Sequence, residues 1–171
     1  MHRKIQLAPY QRLYLDLDGV KAGYDEHYIH LFGHRPGDVT PKMMWENVFS
    51  ADRFFYNLPL LPGAGEFFRE VAHTNPIFIT KCPVENFDQC AQDKRDWVVK
   101  YLTSECLVIP ITLEDIKARY MNREGDLLID DFASNCDPWD AAGGHAIKHD
   151  GKFYNTAHYL RMAIDKNYGR T

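Results

Sequence analysis

The chain has 171 residues, of which 45% are hydrophobic and 13% aromatic, so it is long enough for one domain with a real core and at most a small insertion. Its formal net charge of −4 argues against a surface that coats long nucleic acids, although a small anionic substrate is compatible with a locally positive pocket. The four cysteines form no Cys-x-x-Cys pair, which favours a reduced protein with free thiols over a structural zinc site.

The amino-terminal segment, Met-His-Arg-Lys-Ile-Gln-Leu, lacks the apolar stretch of a signal peptide. No run along the chain approaches the length that crosses a bilayer. We therefore expect a cytoplasmic protein without a membrane partner. The sequence leaves the oligomeric state open, and a homodimer is one alternative.

The first predicted strand, residues 13–16, ends in two carboxylates. The run is Arg-Leu-Tyr-Leu-Asp-Leu-Asp-Gly-Val, and its alternating apolar residues are typical of a buried strand. At the carboxyl end of such a strand, Asp16 and Asp18 would reach the crevice in which open α/β sheets bind ligands. Two like charges there cost on the order of several kcal/mol unless they are neutralised. A hard divalent ion with oxygen ligands is the simplest neutralising group.

The segment from residue 21 to residue 60 has a different character from the rest of the chain. It is rich in aromatic residues, shows no clear strand alternation and is broken by glycines and prolines. We predict two or three short helices that form a small cap. The predicted domain organisation is therefore a core of residues 1–20 and 61–171 with a cap insertion of residues 21–60.

Helices and strands alternate in the remainder of the chain. The predicted helices cover residues 64–73, 93–102, 133–142 and 157–166, and the predicted strands cover residues 76–80, 107–111, 126–130 and 146–149. This alternation predicts an α/β fold with a Rossmann-like parallel sheet that is covered on both faces. In that architecture the strand ends that carry Asp16, Thr80 and Asp130 open onto the same crevice.

The polar residues near these strand ends form an ordered set. Asp16-Leu-Asp18-Gly-Val comes first, followed by Thr80, then by Lys117 in a short helix or loop, and finally by Asp130-Asp131. This order and spacing resemble the four motifs of the haloacid dehalogenase superfamily of aspartate-nucleophile phosphatases, over residues 13 to 149. Within the superfamily the chain is most similar to the small 5′(3′)-deoxyribonucleotidases and their phage and bacterial relatives, on the segments 54–64, 93–98 and 128–131.

The resemblance implies a role for each motif residue. Asp16 would be the nucleophile that forms an aspartyl-phosphate, and Asp18 would be the general acid and base. Thr80 and the backbone amide of Lys81 would bind phosphoryl oxygens. Lys117 would hold the phosphate against the Asp16 carboxylate as charge develops.

The resemblance also implies a Mg²⁺ site. Its ligands would be Asp16, the backbone carbonyl of Asp18 and the Asp131 carboxylate, with Asp130 in or beside the coordination shell. Two assignments stay open at this point. Lys81 is a rival of Thr80 for the phosphate, and Lys94 could take the place of Lys117.

Four residues of the predicted cap match positions that line the base pocket in the resembling nucleotidases. They are Tyr24, Met44, Trp45 and Phe49. Aromatic faces stack on any nucleobase with roughly 1–3 kcal/mol per base. The alternative is that these residues form the core of the cap itself.

The leading hypothesis is a Mg²⁺-dependent phosphomonoesterase whose small substrate is a nucleotide, with a deoxyribonucleoside 5′-monophosphate favoured. One alternative is a phosphatase of another small metabolite or of oligonucleotide 5′ ends. The other is a catalytically silent binding module, although the intact set of motif residues argues against it.

Overall fold

Five parallel strands form the centre of the molecule in the computed structural model, which describes residues 4–168, with side chains as far as residue 164. The strands are β1 (Leu13–Leu15), β2 (Ile77–Cys82), β3 (Val108–Thr112), β4 (Leu127–Asp130) and β5 (His145–Lys148). Their order in the sheet is β3-β2-β1-β4-β5, and every neighbouring pair is parallel. The predicted α/β class with a Rossmann-like parallel sheet is confirmed.

The described part of the chain also contains six α-helices. They are α1 (Tyr24–Phe32), α2 (Pro41–Ser50), α3 (Ala64–Val71), α4 (Phe87–Tyr101), α5 (Ala133–Ala141) and α6 (Phe153–Tyr168). Short 3₁₀ helices cover Pro36–Asp38, Ala72–Thr74, Val84–Asn86 and Lys117–Tyr120. None of the helices in residues 4–168 is long and apolar enough to cross a lipid bilayer.

The central strand β1 is buried on both faces, because its side chains alternate between two hydrophobic clusters. Leu13 and Leu15 belong to the larger cluster, while Tyr14 packs in the smaller one with Trp139. Tyr14 pairs with Ile77 of β2 on one side and with Leu128 of β4 on the other. Helices on both faces complete the burial, as expected for a parallel sheet.

The largest boundary difference lies in α4, which begins at Phe87 rather than at residue 93. Its first turns carry Asp88, Gln89 and Gln92, and these polar residues obscure the helical periodicity. The buried face nevertheless continues through Cys90 and Ala91. Strand β2 also extends to Cys82, beyond the predicted end at residue 80.

The insertion that holds α1 and α2 leaves and re-enters the core at neighbouring points. The backbone N–H of Leu61 donates to the Lys21 carbonyl at 2.9 Å, and the N–H of Gly23 donates to the Pro59 carbonyl at 2.9 Å. Tyr28 of the insertion packs into the same buried cluster as β1. On the basis of these contacts, we propose that residues 21–60 form the cap.

Candidate active site

The acids that follow β1 and close β4 meet at one edge of the sheet. Because β1 and β4 are parallel neighbours, their carboxyl ends lie side by side, and the Asp16 N–H donates to the Ile129 carbonyl at 2.9 Å. Asp16, Asp130 and Asp131 each place one carboxylate oxygen within 4.8 Å of the others. The predicted convergence of Asp16 with Asp130 and Asp131 is therefore present in the fold.

Lys117 lies between two of these acids. Its Nζ donates to Asp16 Oδ1 at 2.8 Å and to Asp130 Oδ2 at 2.6 Å, and only 1% of the residue is exposed. Burial opposes the charged ammonium, but the Asp16 and Asp130 carboxylates outweigh it and raise the pKa of Lys117 above its ordinary value. Lys117 therefore stays protonated against the proposed nucleophile.

The two acids of the second pair have different surroundings. Asp130 is fully buried and accepts hydrogen bonds on both oxygens, from Lys117, from the Phe132 N–H at 2.9 Å and from Asn135 Nδ2 at 3.0 Å. Asp131 Oδ1 is also buried, but it has no hydrogen-bond partner among residues 4–168. Asp130 thus orients Lys117, and Asp131 is the acid with an oxygen available to a ligand.

Gly19 leaves room for the Asp131 carboxylate. A Cβ at position 19 would lie 2.2 Å from Asp131 Oδ2, and the backbone of Gly19 is left-handed with φ of +72°. A side chain is excluded there on both grounds, because residues other than glycine rarely adopt this conformation. The sequence shows the glycine after Asp18 but not this contact.

The carboxylates fit a divalent cation. Burial, with help from Asp130 and against Lys117, raises the pKa of Asp16 to about 7. Burial, followed by the nearby Asp16 and Asp130, raises the pKa of Asp131 to about 7. The buried Oδ1 of Asp131 lacks a partner within the described chain. Crowded carboxylates with vacant oxygen lone pairs match the oxygen ligands that Mg²⁺ takes in proteins.

Lys94 forms an ion pair with a different acid from those that Lys117 contacts. Its Nζ donates to Asp18 Oδ2 at 2.7 Å, to Thr80 Oγ1 at 2.9 Å and to the Lys81 carbonyl at 2.7 Å. Burial disfavours its charge, but the Asp18 carboxylate prevails and raises the pKa of Lys94. The structure thus separates the two lysines that the sequence left as alternatives: Lys117 contacts Asp16, and Lys94 contacts Asp18.

Thr80 and Lys81 border the same region. Thr80 is fully buried, and because its hydroxyl accepts from Lys94 it retains a proton to donate. The Lys81 side chain donates to the Leu113 carbonyl at 3.2 Å and lines a cavity with Asp16. Burial, together with the nearby Lys117 ammonium, lowers the pKa of Lys81.

Two adjoining cavities open at these acids. The smaller one, about 280 Å³, is lined by Asp16, Lys81, Lys117 and Asn135 among others. The larger one, about 720 Å³, is lined by Asp131 and by side chains of the proposed cap. Both cavities include Asp18, Tyr24, Trp45 and Phe132 in their walls, so they form one cleft.

The structure brings three of the four predicted base-pocket residues to this cleft. Tyr24, Met44 and Trp45 line it, and the Tyr24 hydroxyl lies 3.6 Å from Met44 Sδ. Phe49 lines neither cavity and instead stacks on Trp45 with the ring centroids 5.7 Å apart. Phe132 and Asn135 also line the cleft, and neither has a predicted site role, although both lie shortly after the acidic pair in the sequence.

Known proteins resemble this chain in sequence. No protein-family model matches the chain. A protein of Bordetella bronchiseptica named for 5′(3′)-deoxyribonucleotidase activity is 30% identical over 137 residues, which cover 68% of this chain and 72% of that protein. The human mitochondrial 5′(3′)-deoxyribonucleotidase is 26% identical over 144 residues, which cover 70% of this chain and 61% of the human protein.

A solved structure supports the fold independently. The crystal structure of a hydrolase from Streptococcus pneumoniae superposes with a TM-score of 0.51 at 13% sequence identity, and the match covers 88% of this chain and 98% of that one. The Bordetella relative is similar to this chain in sequence, with 30% identity over 72% of its own length. The chain therefore belongs to the 5′(3′)-deoxyribonucleotidase family.

Proposed function

We propose that the protein is a Mg²⁺-dependent nucleotidase that hydrolyses nucleoside monophosphates, with deoxyribonucleoside 5′-monophosphates favoured, through an aspartyl-phosphate on Asp16. The observation that carries this proposal is the position of the Asp16 carboxylate. It lines the smaller cavity, and Lys117 Nζ holds its Oδ1 at 2.8 Å. A carboxylate so oriented at a cavity with lysines in its wall is suited to attack a bound phosphoryl group.

The proposed reaction has two chemical steps. First, an Asp16 oxygen forms a bond to phosphorus while the ester bond breaks, and Asp18 gives a proton to the leaving oxygen. Second, a water molecule gives a proton to Asp18 and bonds to the phosphorus while the bond between the phosphorus and the Asp16 oxygen breaks, which releases phosphate and restores the Asp16 carboxylate. Asp18 Oδ1 is the oxygen suited to carry the proton, because Lys94 binds the other one.

Asp16, Asp131 and the backbone carbonyl of Asp18 would hold the Mg²⁺, while Asp130 supports the site by binding Lys117. When bound, the ion would reduce the repulsion between the carboxylates and the phosphate dianion and would orient the phosphoryl group. The ammonium of Lys117 adds positive charge at the same place, and the Thr80 hydroxyl and the Lys81 backbone amide would bind phosphoryl oxygens.

The form of the cleft supports a nucleoside monophosphate as substrate. The smaller cavity suits the phosphate, and the larger one offers Tyr24 and Trp45 to a planar base. Asp25 and Glu26 also line the larger cavity, and their negative charges disfavour a second phosphate group. The names of the relatives point to the same substrate class.

We also propose a cytoplasmic location. All four cysteines, Cys82, Cys90, Cys106 and Cys136, are free, as expected where thiols are kept reduced.

The test of the proposed function is the Asp16→Asn variant, assayed on a panel of nucleoside monophosphates and other phosphate monoesters. We expect kcat to fall at least about 10³-fold while circular dichroism shows an intact fold, because the amide cannot act as the nucleophile. Asp137→Asn, an exposed change on α5, is the matched control and should keep full activity.

Removal of metal with EDTA should abolish turnover, and Mg²⁺ should restore it. Substantial activity in Asp16→Asn would overturn the nucleophile assignment, and equal activity on all phosphate esters would overturn the nucleotide assignment.

A further inference from the structure

Phe132 is a large apolar side chain that the fold leaves 61% exposed beside the acids of the site. It directly follows Asp131 and precedes the first residue of α5. Its backbone is held firmly: the N–H donates to Asp130 Oδ1 at 2.9 Å, and the carbonyl accepts from the N–H groups of Asn135 and Cys136 at 3.0 and 3.1 Å. The ring is therefore presented to solvent from a rigid backbone.

The position of this ring distinguishes it from an ordinary exposed phenylalanine. Phe132 lies in the wall of both the smaller and the larger cavity, and so do Tyr24 and Trp45. Tyr24 and Trp45 belong to α1 and α2 of the insertion, whereas Phe132 belongs to the sheet domain. Aromatic residues from the insertion and from the sheet domain thus line both cavities.

The rings on the two sides differ in their packing. Trp45 stacks on Phe49, and Tyr24 packs edge-on against Phe54 with ring centroids 5.3 Å apart. Among residues 4–164, no other ring stacks on the Phe132 ring. Its exposed face is thus available to a planar group that enters the cleft from solvent.

We propose that Phe132 forms the core-side wall of a slot in which the base of the substrate stacks, opposite Tyr24 and Trp45. This inference rests on the proposed function and names a residue that determines its substrate class. A monophosphate with its phosphate at Asp16 places its base at the cavity junction, and the Phe132 face then removes that base from water. A sugar phosphate without a base gains nothing from the ring.

The test compares two substrates across three variants. The substrates are a deoxyribonucleoside 5′-monophosphate and deoxyribose 5-phosphate, which lacks the base. For Phe132→Ala we expect KM for the nucleotide to rise about 5- to 150-fold, equivalent to roughly 1–3 kcal/mol per stacked base. The KM for deoxyribose 5-phosphate should stay unchanged. Phe132→Tyr keeps the ring face and should retain the wild-type KM for both substrates.

Tyr154→Ala removes an 83% exposed aromatic ring from α6 and is the control for loss of any surface aromatic. Equal KM values for wild type and Phe132→Ala on the nucleotide would overturn the inference. An equal loss on both substrates would also overturn it, because it would show that the ring supports the Asp130–Asp131 segment instead. A wild-type protein that turns over phosphate esters but no nucleotide would overturn the proposed function, and the inference with it.

Discussion

At the scale of single residues, two buried lysines hold the acids of the site. A buried charge is tolerated only when it is paired, and each of these ammonium groups has a carboxylate within 2.8 Å. Lys117 lies against the proposed nucleophile Asp16, whereas Lys94 lies against the proposed general acid Asp18. Substitutions of the two lysines should therefore have different effects on the kinetics of the reaction.

The pair Lys117→Met and Lys94→Met tests this separation. Lys117→Met should lower kcat at least about 10²-fold and weaken competitive inhibition by inorganic phosphate, because the ammonium next to Asp16 is lost. Lys94→Met should leave inhibition by phosphate near the wild-type value and should shift the pH dependence of kcat, because Asp18 loses its ionic partner. Steady-state assays over a range of pH measure both effects. Weaker phosphate inhibition in Lys94→Met alone would reverse the assignment.

Gly19→Ala tests the fit around Asp131. The added methyl would lie 2.2 Å from Asp131 Oδ2 and would displace the carboxylate, so we expect at least about a tenfold higher Mg²⁺ requirement for activity. Gly33→Ala is the matched control: Gly33 also has a left-handed backbone, with φ of +75°, but a Cβ there meets no atom within 4 Å. Gly33→Ala should lose only stability. Titrations of the initial rate with Mg²⁺ compare the two variants. An unchanged Mg²⁺ requirement in Gly19→Ala would contradict the proposed role of Gly19 in making room for the Asp131 carboxylate.

At the scale of elements, the connection from β1 to α1 carries a buried lysine outside the acidic cluster. Lys21 is fully buried, and its Nζ lies 4.0 Å from the ring centroid of Phe67 on α3 and 4.6 Å from that of Phe153 on α6. It has no hydrogen-bond partner among residues 4–168, and burial lowers its pKa well below the ordinary value. The connection therefore carries an amine where an apolar side chain would fit.

Lys21→Met should stabilise the protein by about 1–3 kcal/mol, because the variant no longer buries an unpaired amine. The gain should depend on pH. Burial lowers the pKa of Lys21 in the folded protein below the 10.5 of the unfolded chain, so between these values the unfolded state binds the additional proton. The destabilisation by Lys21 therefore weakens as pH rises, and the advantage of the variant shrinks. Urea unfolding at pH 6 and pH 9 measures this change, with Lys42→Met on the exposed face of α2 as control. A less stable Lys21→Met protein would contradict the prediction.

At the scale of the whole molecule, the acidic cluster couples stability to pH and to divalent metal. The folded protein raises the pKa of Asp16 and Asp131 to about 7, whereas in the unfolded chain both return to the ordinary value of 3.8. Between these values the folded state binds more protons than the unfolded state. The contribution of these groups to stability is therefore present at low pH and is lost as pH rises toward 7.

Without divalent metal, Asp16 and Asp131 should consequently contribute a fall in the melting temperature between pH 5 and pH 8, opposite in sign to the contribution of Lys21. Mg²⁺ should raise it at pH 8 and have a smaller effect at pH 5, because the ion binds the ionised carboxylates and stabilises the folded state by mass action. Thermal melts at both pH values with EDTA or Mg²⁺ measure this coupling. Asp131→Asn should reduce both the fall and the response to Mg²⁺, and equal Mg²⁺ stabilisation at the two pH values would contradict the prediction.

The amino-acid sequence alone was sufficient for the α/β class, the order of the strands along the chain and the set of acids at their ends. Alternating apolar residues are a local signal of a buried strand, and the parallel arrangement then places Asp16 and Asp130 at one edge. The start of α4 was missed because a helix turn rich in polar residues carries little periodic signal. The cap as a separate unit stays a prediction.

Only the tertiary structure decided which lysine contacts which acid, which acid of the second pair keeps a vacant oxygen and which aromatic rings line the cleft. Lys94 and Lys117 come from α4 and from the 3₁₀ helix Lys117–Tyr120, and each reaches an acid on another element. Phe132 is distant from Tyr24 and Trp45 along the chain, and only the fold brings the three residues into the wall of one cleft. Such contacts depend on side-chain directions across elements that are distant along the chain, and local patterns of residue type carry no information about them.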